Sequence, residues 1–262
     1  MVSVATSIEF IAKCVEILNA APSAHSRNCF RSAMYHLEMA DALVKADPAM
    51  AMFRAITAEE EAASGLMRCL RELGYPRADE LNPHDHVHKH AIFPFMEIVG
   101  LFFAQNMSND FQSFHLKIKE EQGEMRLTLA LRLTILGEER FAYPIPPLSF
   151  SVSVQGEAET MRYVSQIAEF TRARGMPSVK AFLKSEASLR NKILYAGPDG
   201  YPVVQDPKDS FVEERRRRVR GMLNLYLLLF PYREHQTYVA QALSAFADVL
   251  NRLKKRSLGN ND

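Results

Sequence analysis

The chain has 262 residues, of which 47% are hydrophobic and 24% are charged, and its formal net charge at pH 7 is +1. This composition is ordinary for a folded globular protein and excludes a disordered or fibrous chain. A net charge so close to zero produces no overall electrostatic field that would attract nucleic acid, so any nucleic-acid binding depends on a local basic patch.

The three cysteines, Cys14, Cys29 and Cys69, fit neither a metal-binding spacing nor a disulfide framework. Each falls in a helical pattern, where a free cysteine acts as a small core residue. The first residues, MVSVATSIEF, lack the basic start and apolar stretch of a secretory signal. The most apolar runs, 91–104 and 222–231, are shorter than the roughly 20 residues that span a bilayer. We therefore expect a cytoplasmic protein without a membrane segment.

Four helices are predicted in the first 108 residues, because apolar residues recur there at helical spacing. Ser26 is a capping residue for the second helix. Asp47 and Pro48 place a capping carboxylate before a proline at the first position of the third helix, and Gly74 ends it. The predicted helices cover about residues 6–18, 26–44, 48–73 and 83–105.

The hydrophobic pattern changes to a period of two after residue 110. Apolar residues alternate with polar ones over 114–118, and six of them alternate without a break over 125–135, which is typical of β-strands. A third strand is predicted at 150–154. Turns are predicted at Gln122-Gly123 and Gly137-Glu138, and these short connections favour an antiparallel meander with one face covered by helices.

Helical spacing returns at Glu157 and predicts four more helices, at about 157–174, 178–195, 208–229 and 232–255. The expected fold class is mainly α, a helical bundle with an inserted antiparallel β-meander of about three strands. We assign residues 1–108 to a first helical part and residues 109–156 to the β-insertion. Residues 157–256 form a second helical part that packs with the first as one domain, and residues 257–262 are a frayed tail.

The segment SLRNKILY, which ends a predicted helix, is the first candidate for chemistry. Arg190 can clamp a phosphate with two parallel hydrogen bonds, and Asn191 beside it can orient a ribose or phosphate oxygen. Tyr195 follows five residues later. The alternative is structural, with Arg190 paired to a core-facing carboxylate and Tyr195 closing the end of the helix.

This segment resembles the end of HEPN-type domains, small helical bundles that include many RNases, in which an arginine is followed a few residues later by histidine. The resemblance to the AbiV-like abortive-infection branch is closer. The likeness rests on three stretches in order: TAEEEAASGLM, HVHKH, and the arginine segment before a Gly/Pro loop. It covers about two-thirds of the chain and skips the β-insertion. The chain departs from the pattern at Tyr195, because tyrosine, with a pKa of about 10, is a poor general base.

Four histidines, His84, His86, His88 and His90, alternate in PHDHVHKH. On a helix, His84 with His88 and His86 with His90 are one turn apart, so each pair could hold a divalent metal. Alternatively, His88 or His90 supplies the acid–base group that Tyr195 does not, because histidine titrates near neutrality. A third interpretation is a solvated or structural stretch at the start of a helix.

Glu60 is predicted to lie on the apolar face of its helix, with Ile56 and Ala63, and a carboxylate facing the core needs a partner. Arg190 or the histidines can provide it, either in a site or as a structural ion pair.

The arginines at 215–218 and 220 could contact phosphates. However, Glu213 with Arg217 and Glu214 with Arg218 are spaced to pair on a helix, and the arginines lie all around it, so we interpret them as a solvated surface.

The leading hypothesis is an HEPN/AbiV-like protein of phage defence with RNA as substrate or ligand. The resemblance implies a metal-independent endoribonuclease, often a homodimer, without a small-molecule cofactor. Arg190 would stabilise the phosphorane, Asn191 would position the backbone and His88 or His90 would move the proton, with Glu60 and Tyr195 alongside. The alternatives are a non-catalytic interaction or scaffold protein on an HEPN-like frame, and a metal-binding protein that uses the histidine cluster.

Overall fold

The computed structural model describes residues 8–22, 24–106, 111–121, 123–152, 163–195 and 209–258. Within these ranges the chain forms four α-helices, three antiparallel strands and four further α-helices. The prediction of a mainly helical protein with a small β-meander is confirmed. The helices are α1 (Ile8–Ala20), α2 (His25–Leu43), α3 (Pro48–Glu72), α4 (His86–Asn106), α5 (Val164–Ala173), α6 (Val179–Leu194), α7 (Asp209–Leu229) and α8 (Thr237–Leu258), with a 3-10 turn at Ala78–Glu80.

The long helix α3 begins where the sequence predicts. The Asp47 carboxylate accepts a hydrogen bond from the Met50 N–H at 3.0 Å, and Pro48 is the first helical residue. A proline in that position costs no helical hydrogen bond. Gly74 follows the last turn with a φ of +72°, in the left-handed region that favours glycine.

Helices α2 and α3 pack closely against each other, and small residues make this possible. A Cβ atom at Gly65 would lie 2.9 Å from the ring of Phe30, so only glycine allows this approach. Much of the buried face of α3 is alanine: Ala51, Ala55, Ala58, Ala62 and Ala63.

The sheet consists of β1 (Phe111–Glu121), β2 (Glu124–Ile135) and β3 (Glu138–Ala142), with β2 in the middle. Leu116 lies opposite Leu129, and Ile118 lies opposite Leu127, so the apolar side chains share one face. Both β2 leucines are buried. The inner face of the hairpin therefore contributes to the core, as the alternation in the sequence predicts.

The third strand lies earlier in the chain than predicted. Leu136 and Gly137 both have positive φ angles, which fits a two-residue hairpin turn that leads directly from β2 into β3. β3 therefore begins at Glu138, which the sequence interpretation placed in a turn. Its residues Glu138–Ala142 alternate poorly, with exposed charges next to one another, so the periodicity gave no signal for this strand.

The predicted strand at 150–154 is wrong for Phe150 and Val152, which have no strand structure, and Val154 lies outside the described residues. The Val152 N–H donates to the side-chain oxygen of Gln241 at 3.2 Å. The ring of Phe150 stacks on Tyr238, with centroids 4.9 Å apart. The alternation there reflects packing against α8 rather than a strand ladder.

Two predicted helices begin later than expected. α5 begins at Val164, preceded by Tyr163 with a φ of +47°, while 157–162 lie outside the described residues. α8 begins at Thr237 rather than at 232. The backbone N–H of Gln236 donates to the Tyr75 hydroxyl at 2.8 Å, and its side-chain amide donates to the Leu228 carbonyl at 2.8 Å. These bonds hold the preceding segment as a loop.

Helix α3 contacts α2, α4, α6 and α7, so helices from before and after the sheet pack on it. One hydrophobic core extends from Cys14 in α1 to Leu250 in α8 and includes Leu127 of the sheet. Among the described helices, one segment, His86–Gln105 in α4, is long and apolar enough to cross a membrane by length and composition. The core helix of a soluble protein passes the same test, and α4 packs against α3, α5 and α6.

Candidate functional site

Three side chains, two from α4 and one from α6, meet at the carboxylate of Glu60 in α3, which is only 5% exposed. His86 Nδ1 lies 2.8 Å from Glu60 Oε1, and His90 Nε2 lies 3.2 Å from the same oxygen. Arg190 Nη1 lies 3.8 Å from Glu60 Oε2. We call Glu60, His86, His90 and Arg190 the Glu60 site. The predicted partners of Glu60, Arg190 and the histidines, are both found there.

Helical geometry explains this arrangement. His86 and His90 are one turn apart on α4, so both project toward α3. Arg190 lies near the end of α6, where its guanidinium carbon is 4.9 Å from the centroid of the Phe53 ring on α3. The side chains of His86 and Arg190 are 47% and 35% exposed, whereas that of His90 is 1% exposed. A ligand in solution can therefore reach His86 and Arg190, but not His90.

The Glu60 carboxyl is ionised at neutral pH. Burial alone would raise its pKa, but the neighbouring His90 and the hydrogen bond with His86 outweigh burial and lower the pKa to about 2. An ionised carboxylate only accepts hydrogen bonds, so the proton of the neutral His86 ring lies on Nδ1, which donates to Glu60. The Nε2 atom of His86 is then the nitrogen that can accept a proton from a ligand.

The ring nitrogens of His90 are buried without a well-aligned hydrogen bond, so its 3.2 Å approach to Glu60 is mainly electrostatic. This places His90 behind the carboxylate, where it supports Glu60 but cannot exchange a proton with a ligand. The prediction that His90 moves a substrate proton is therefore corrected by its burial.

His88 and His84 interact with the segment before α4 and not with Glu60. His88 Nδ1 accepts a hydrogen bond from the Asn82 N–H at 3.0 Å, and its Nε2 lies 3.9 Å from Asp85, so it braces the loop before α4. His84 is exposed, and its backbone N–H donates to the Asn82 side chain. The four histidines thus do not converge on one metal ion, and His88 is not part of the Glu60 site.

Asn191 and Tyr195 lie at the exposed end of α6. The Tyr195 N–H donates to the Asn191 carbonyl at 3.0 Å, which closes the helix, and the Tyr195 ring is 65% exposed. This matches the structural interpretation of Tyr195. Asn191 follows Arg190 directly and points to solvent, where it can reach a bound backbone.

A second charged cluster, which the sequence interpretation missed, lies beside the Glu60 site. We call Glu59, Glu186, Arg215 and Arg218 the buried ion cluster. Arg215 bonds both Glu59 and Glu186, the latter at 2.8 Å. Arg218 bonds Glu59 at 3.1 Å and Glu186 at 2.9 Å. The predicted solvated surface is therefore wrong for these two arginines, whose side chains are only 4% and 6% exposed.

Burial and pairing act in opposite directions on the charges of this cluster. Burial would raise the pKa values of Glu59 and Glu186, but the charges of Arg215 and Arg218 outweigh it and hold both pKa values below their ordinary range. Burial would likewise lower the pKa of Arg218, and the carboxylates raise it above its ordinary value. Glu59, Glu186 and Arg218 therefore remain charged, and within the cluster two carboxylates face two guanidinium groups.

One signal in the sequence could have revealed these arginines. Val212, Arg215, Val219 and Met222 follow one another at helical spacing, and the three apolar members are buried. Arg215 therefore occupies a core-facing position of α7. Composition alone suggested a solvated face because four consecutive arginines cover the whole circumference of a helix.

Among the described residues, one group has three or more ligand atoms placed for a metal: Glu59, His90 and Glu186, all within 4.8 Å of one another. Both carboxylates already bind the guanidinium groups of Arg215 and Arg218. A divalent cation would have to displace these arginines from a buried position where the charges already cancel. The donor set therefore fits a metal poorly, and no reaction step is assigned to one.

Comparison of the chain with protein-family models, with curated proteins and with solved structures found no match.

Proposed function

We propose that this protein handles RNA at the Glu60 site, as a metal-independent endoribonuclease of the HEPN/AbiV-like kind that acts in the cytoplasm in phage defence. The observation that carries the proposal is the shared carboxylate: buried Glu60 holds an exposed histidine, His86, through one oxygen and a partly exposed arginine, Arg190, near the other. The cellular role rests on the sequence resemblance alone.

The chemistry follows from the roles that these side chains can take. His86 Nε2 removes the proton from a ribose 2′-hydroxyl, and the 2′-oxygen attacks the adjacent phosphorus. Arg190 stabilises the negative charge of the phosphorane. The bond from phosphorus to the 5′-oxygen then breaks, and that oxygen takes a proton from the imidazolium of His86, which leaves a 2′,3′-cyclic phosphate and a 5′-hydroxyl. His86 therefore takes the role expected of His88 or His90.

Glu60 keeps His86 in the required tautomer and orientation, as a carboxylate does behind a catalytic histidine. It also stabilises the imidazolium that forms after proton transfer. Asn191, which follows Arg190 at the exposed end of α6, positions the RNA backbone. We propose that two copies pair, as the resemblance implies, so that the second copy supplies a further His86 to the same cleft.

The Glu60 site carries little positive charge, which limits the affinity for RNA that it can provide. Among the described residues, Arg190 is the one arginine paired with Glu60. With one or two phosphates neutralised, RNA binding should be weak and should depend only slightly on salt. Recognition would then rely on shape and on the ribose hydroxyl rather than on a basic surface.

The experiment measures cleavage of a fluorophore-labelled single-stranded RNA in EDTA, with the parent and two variants of α6. Arg190→Ala should lower the cleavage rate by about 100-fold or more, because it removes the group that faces the phosphorane. Lys192→Ala, two residues further on and exposed, is the matched control and should cleave like the parent. Equal cleavage by Arg190→Ala and the parent would overturn the assignment.

A non-catalytic RNA-binding or scaffold protein is the second candidate. It is favoured by the burial of His90 and the structural use of His88, which leave His86 as the one reachable histidine in contact with Glu60 within the part of the chain that the structure describes. It predicts RNA binding that Arg190→Ala weakens, without turnover by the parent. Absence of both binding and cleavage would refute both candidates.

A further inference from the structure

One side of α3 is open to solvent next to the Glu60 site. Between positions 53 and 61, the residues of α3 that are not buried are Phe53, Arg54, Thr57 and Glu61. Phe53, Thr57 and Glu61 follow one another at intervals of four residues, and Arg54 lies beside Phe53, so all four share one side of the helix. A ligand bound at the Glu60 site can therefore extend along this side of α3.

A series of contacts crosses the open side of α3 from α6 to α2. Arg190 of α6, which pairs with Glu60, has its guanidinium carbon 4.9 Å from the centroid of the Phe53 ring. Arg54 follows Phe53 directly in the chain, and its Nη1 atom lies 3.1 Å from Nδ1 of His36 in α2. The Glu60 site is thus linked through adjacent side chains to a second arginine and a second histidine.

The pair of Arg54 and His36 presents hydrogen-bond donors only. Arginine cannot accept a hydrogen bond, so Nδ1 of His36 accepts from Arg54, and the neutral ring carries its proton on Nε2. The pKa of His36 lies below its ordinary value, because burial and the charge of Arg54 both disfavour the imidazolium. A charged guanidinium beside a neutral N–H group matches a phosphate, whose oxygens accept hydrogen bonds.

The charge of Arg54 is not paired with a carboxylate. Within the part of the chain that the structure describes, its one hydrogen bond is the bond with His36, and its Nε atom is buried without a partner. Glu61, the acid on the same side of α3, lies seven residues further on, about 10 Å along the helix axis. The arginines at 215–218 and 220 of α7, by contrast, each pair with an acid. Arg54 is therefore available to an anion.

Tyr35 extends this surface onto α2. It is 53% exposed, and its ring centroid lies 5.9 Å from that of His36. Proteins that bind single-stranded RNA combine cations that contact the phosphates with exposed aromatic rings on which bases stack. The α2–α3 strip, as we call this surface, consists of Tyr35, His36, Phe53 and Arg54.

We propose that the α2–α3 strip is the part of the RNA site that binds the nucleotides next to the phosphate at Arg190. Arg54 and His36 bind a second phosphate, and Tyr35 stacks on an unpaired base. Stacking of this kind requires a single strand, because the bases of a duplex stack on one another. The inference rests on the proposed function and narrows its substrate class to single-stranded RNA.

The test is fluorescence anisotropy of a labelled single-stranded RNA whose riboses carry 2′-fluoro groups. This RNA lacks the attacking hydroxyl, so binding is measured without cleavage. Each phosphate contact on a single strand contributes about 0.7 to the slope of log Kd against log salt concentration. Arg54→Gln should therefore lower the slope by about 0.7 and weaken binding at low salt at least fivefold. Arg54→Lys keeps the charge and should keep the slope of the parent.

Tyr35→Ala tests the stacking of a base. It should weaken binding of the same RNA at least fivefold and leave the salt slope unchanged, because it removes a ring and no charge. Since Tyr35 is exposed, this variant remains informative if Arg54→Gln does not fold. Arg31→Gln is the matched control. Arg31 is exposed and lies about 140° around α2 from His36, so this variant should bind within twofold of the parent.

A duplex of the same sequence tests the substrate class and should bind at least tenfold more weakly than the single strand. Equal binding of the duplex would overturn the assignment to single-stranded RNA.

Parent-like affinity and salt slope in both Arg54→Gln and Tyr35→Ala would overturn the role of the strip. If Arg190→Ala still weakened binding in that series, the proposed function would stand without it. A parent that binds through the strip but cleaves no RNA would support the strip and the non-catalytic candidate. Absence of RNA binding by the parent would refute the strip together with the RNA function.

Discussion

Glu60 Oε1 accepts a hydrogen bond from His86 Nδ1 at 2.8 Å, and this contact joins a nearly buried carboxylate to an exposed ring. It fixes the tautomer of His86 and presents Nε2 to solvent. The pair combines the two properties of a catalytic histidine, orientation from within the protein and access from outside.

The first prediction concerns the proton-transferring role of His86. His86→Asn should lower the rate of RNA cleavage by about 10²- to 10⁴-fold, because general acid–base catalysis contributes on that order. His88→Asn is the matched control on the same helix, and it should change stability but leave the cleavage rate within about threefold of the parent. Stopped-flow fluorescence of a labelled RNA measures the cleavage rates of both variants. A parent-like rate for His86→Asn would assign the proton transfer to another group.

The second prediction concerns the pH dependence of stability at Glu60. Its folded pKa of about 2 lies below the ordinary value of 4.5, so protonation favours the unfolded chain. The stabilisation is complete above about pH 5 and is lost progressively as the pH falls toward 2. The difference corresponds to roughly 3 kcal/mol at neutral pH, as an upper bound. Urea unfolding between pH 6 and pH 3 measures it.

In that experiment, Glu60→Gln should lose part of the fall in unfolding free energy below pH 5 that the parent shows. Glu61→Gln, at the next position and only partly buried, should keep the slope of the parent. Parallel curves for Glu60→Gln and the parent would mean that the carboxylate is not stabilised in the folded protein.

The third prediction concerns the buried ion cluster. Arg215→Met should lower the free energy of unfolding by about 3–5 kcal/mol, because it leaves Glu59 and Glu186 with Arg218 alone. The combination Arg215→Met with Glu186→Leu should recover part of the loss, since it also removes one of the two carboxylates that Arg215 pairs with. Arg217→Met, 58% exposed, should change stability by less than about 1 kcal/mol. No recovery in the double variant would contradict a pairing between Arg215 and Glu186.

The fourth prediction compares two glycines in helices. Gly65→Ala should destabilise the protein by about 1–3 kcal/mol, because its Cβ would lie 2.9 Å from the Phe30 ring between two packed helices. Gly100→Ala should stabilise it by up to about 1 kcal/mol, because the added methyl group meets open space and favours the helix. Thermal unfolding of both variants measures the difference, and the same sign for both would contradict the close approach of α2 and α3.

Much of the fold could be predicted because local chemistry determines it. Asp47 and Pro48 start α3 through a cap that depends on neighbouring residues only, and the alternation over 125–135 marks β2 directly. The strand at 138–142 was not predicted, since its charged residues carry no period. Phe150 and Val152 alternate like a strand but bond and pack against α8, and that partner is about 90 residues away in sequence.

The candidate site could be predicted in part for the same reason. A carboxylate on an apolar helix face needs a partner, and this identified Glu60 with Arg190 and the histidines. Which histidine is reachable depends on the angle at which α4 meets α3, and spacing within α4 does not contain that information. The pairing of Arg215 with Glu59 joins residues 156 positions apart, and spacing within α7 does not contain that information. The predicted pair of Glu214 with Arg218 does form, at 2.6 Å.

The alanine face of α3 gives the buried ion cluster a further consequence. Ala55, Ala58 and Ala62 form a smooth surface, and a smooth surface does little to stop one helix from sliding along another. The pairing of Glu59 with Arg215 and Arg218 fixes the register of α3 on α7, because a displacement by one turn would leave buried charges unmatched. If the four charged side chains were replaced by apolar residues of similar volume, we expect a bundle of similar stability that samples several helix alignments. Multiple NMR signals from single residues of α3 and α7 would reveal that loss of a unique register.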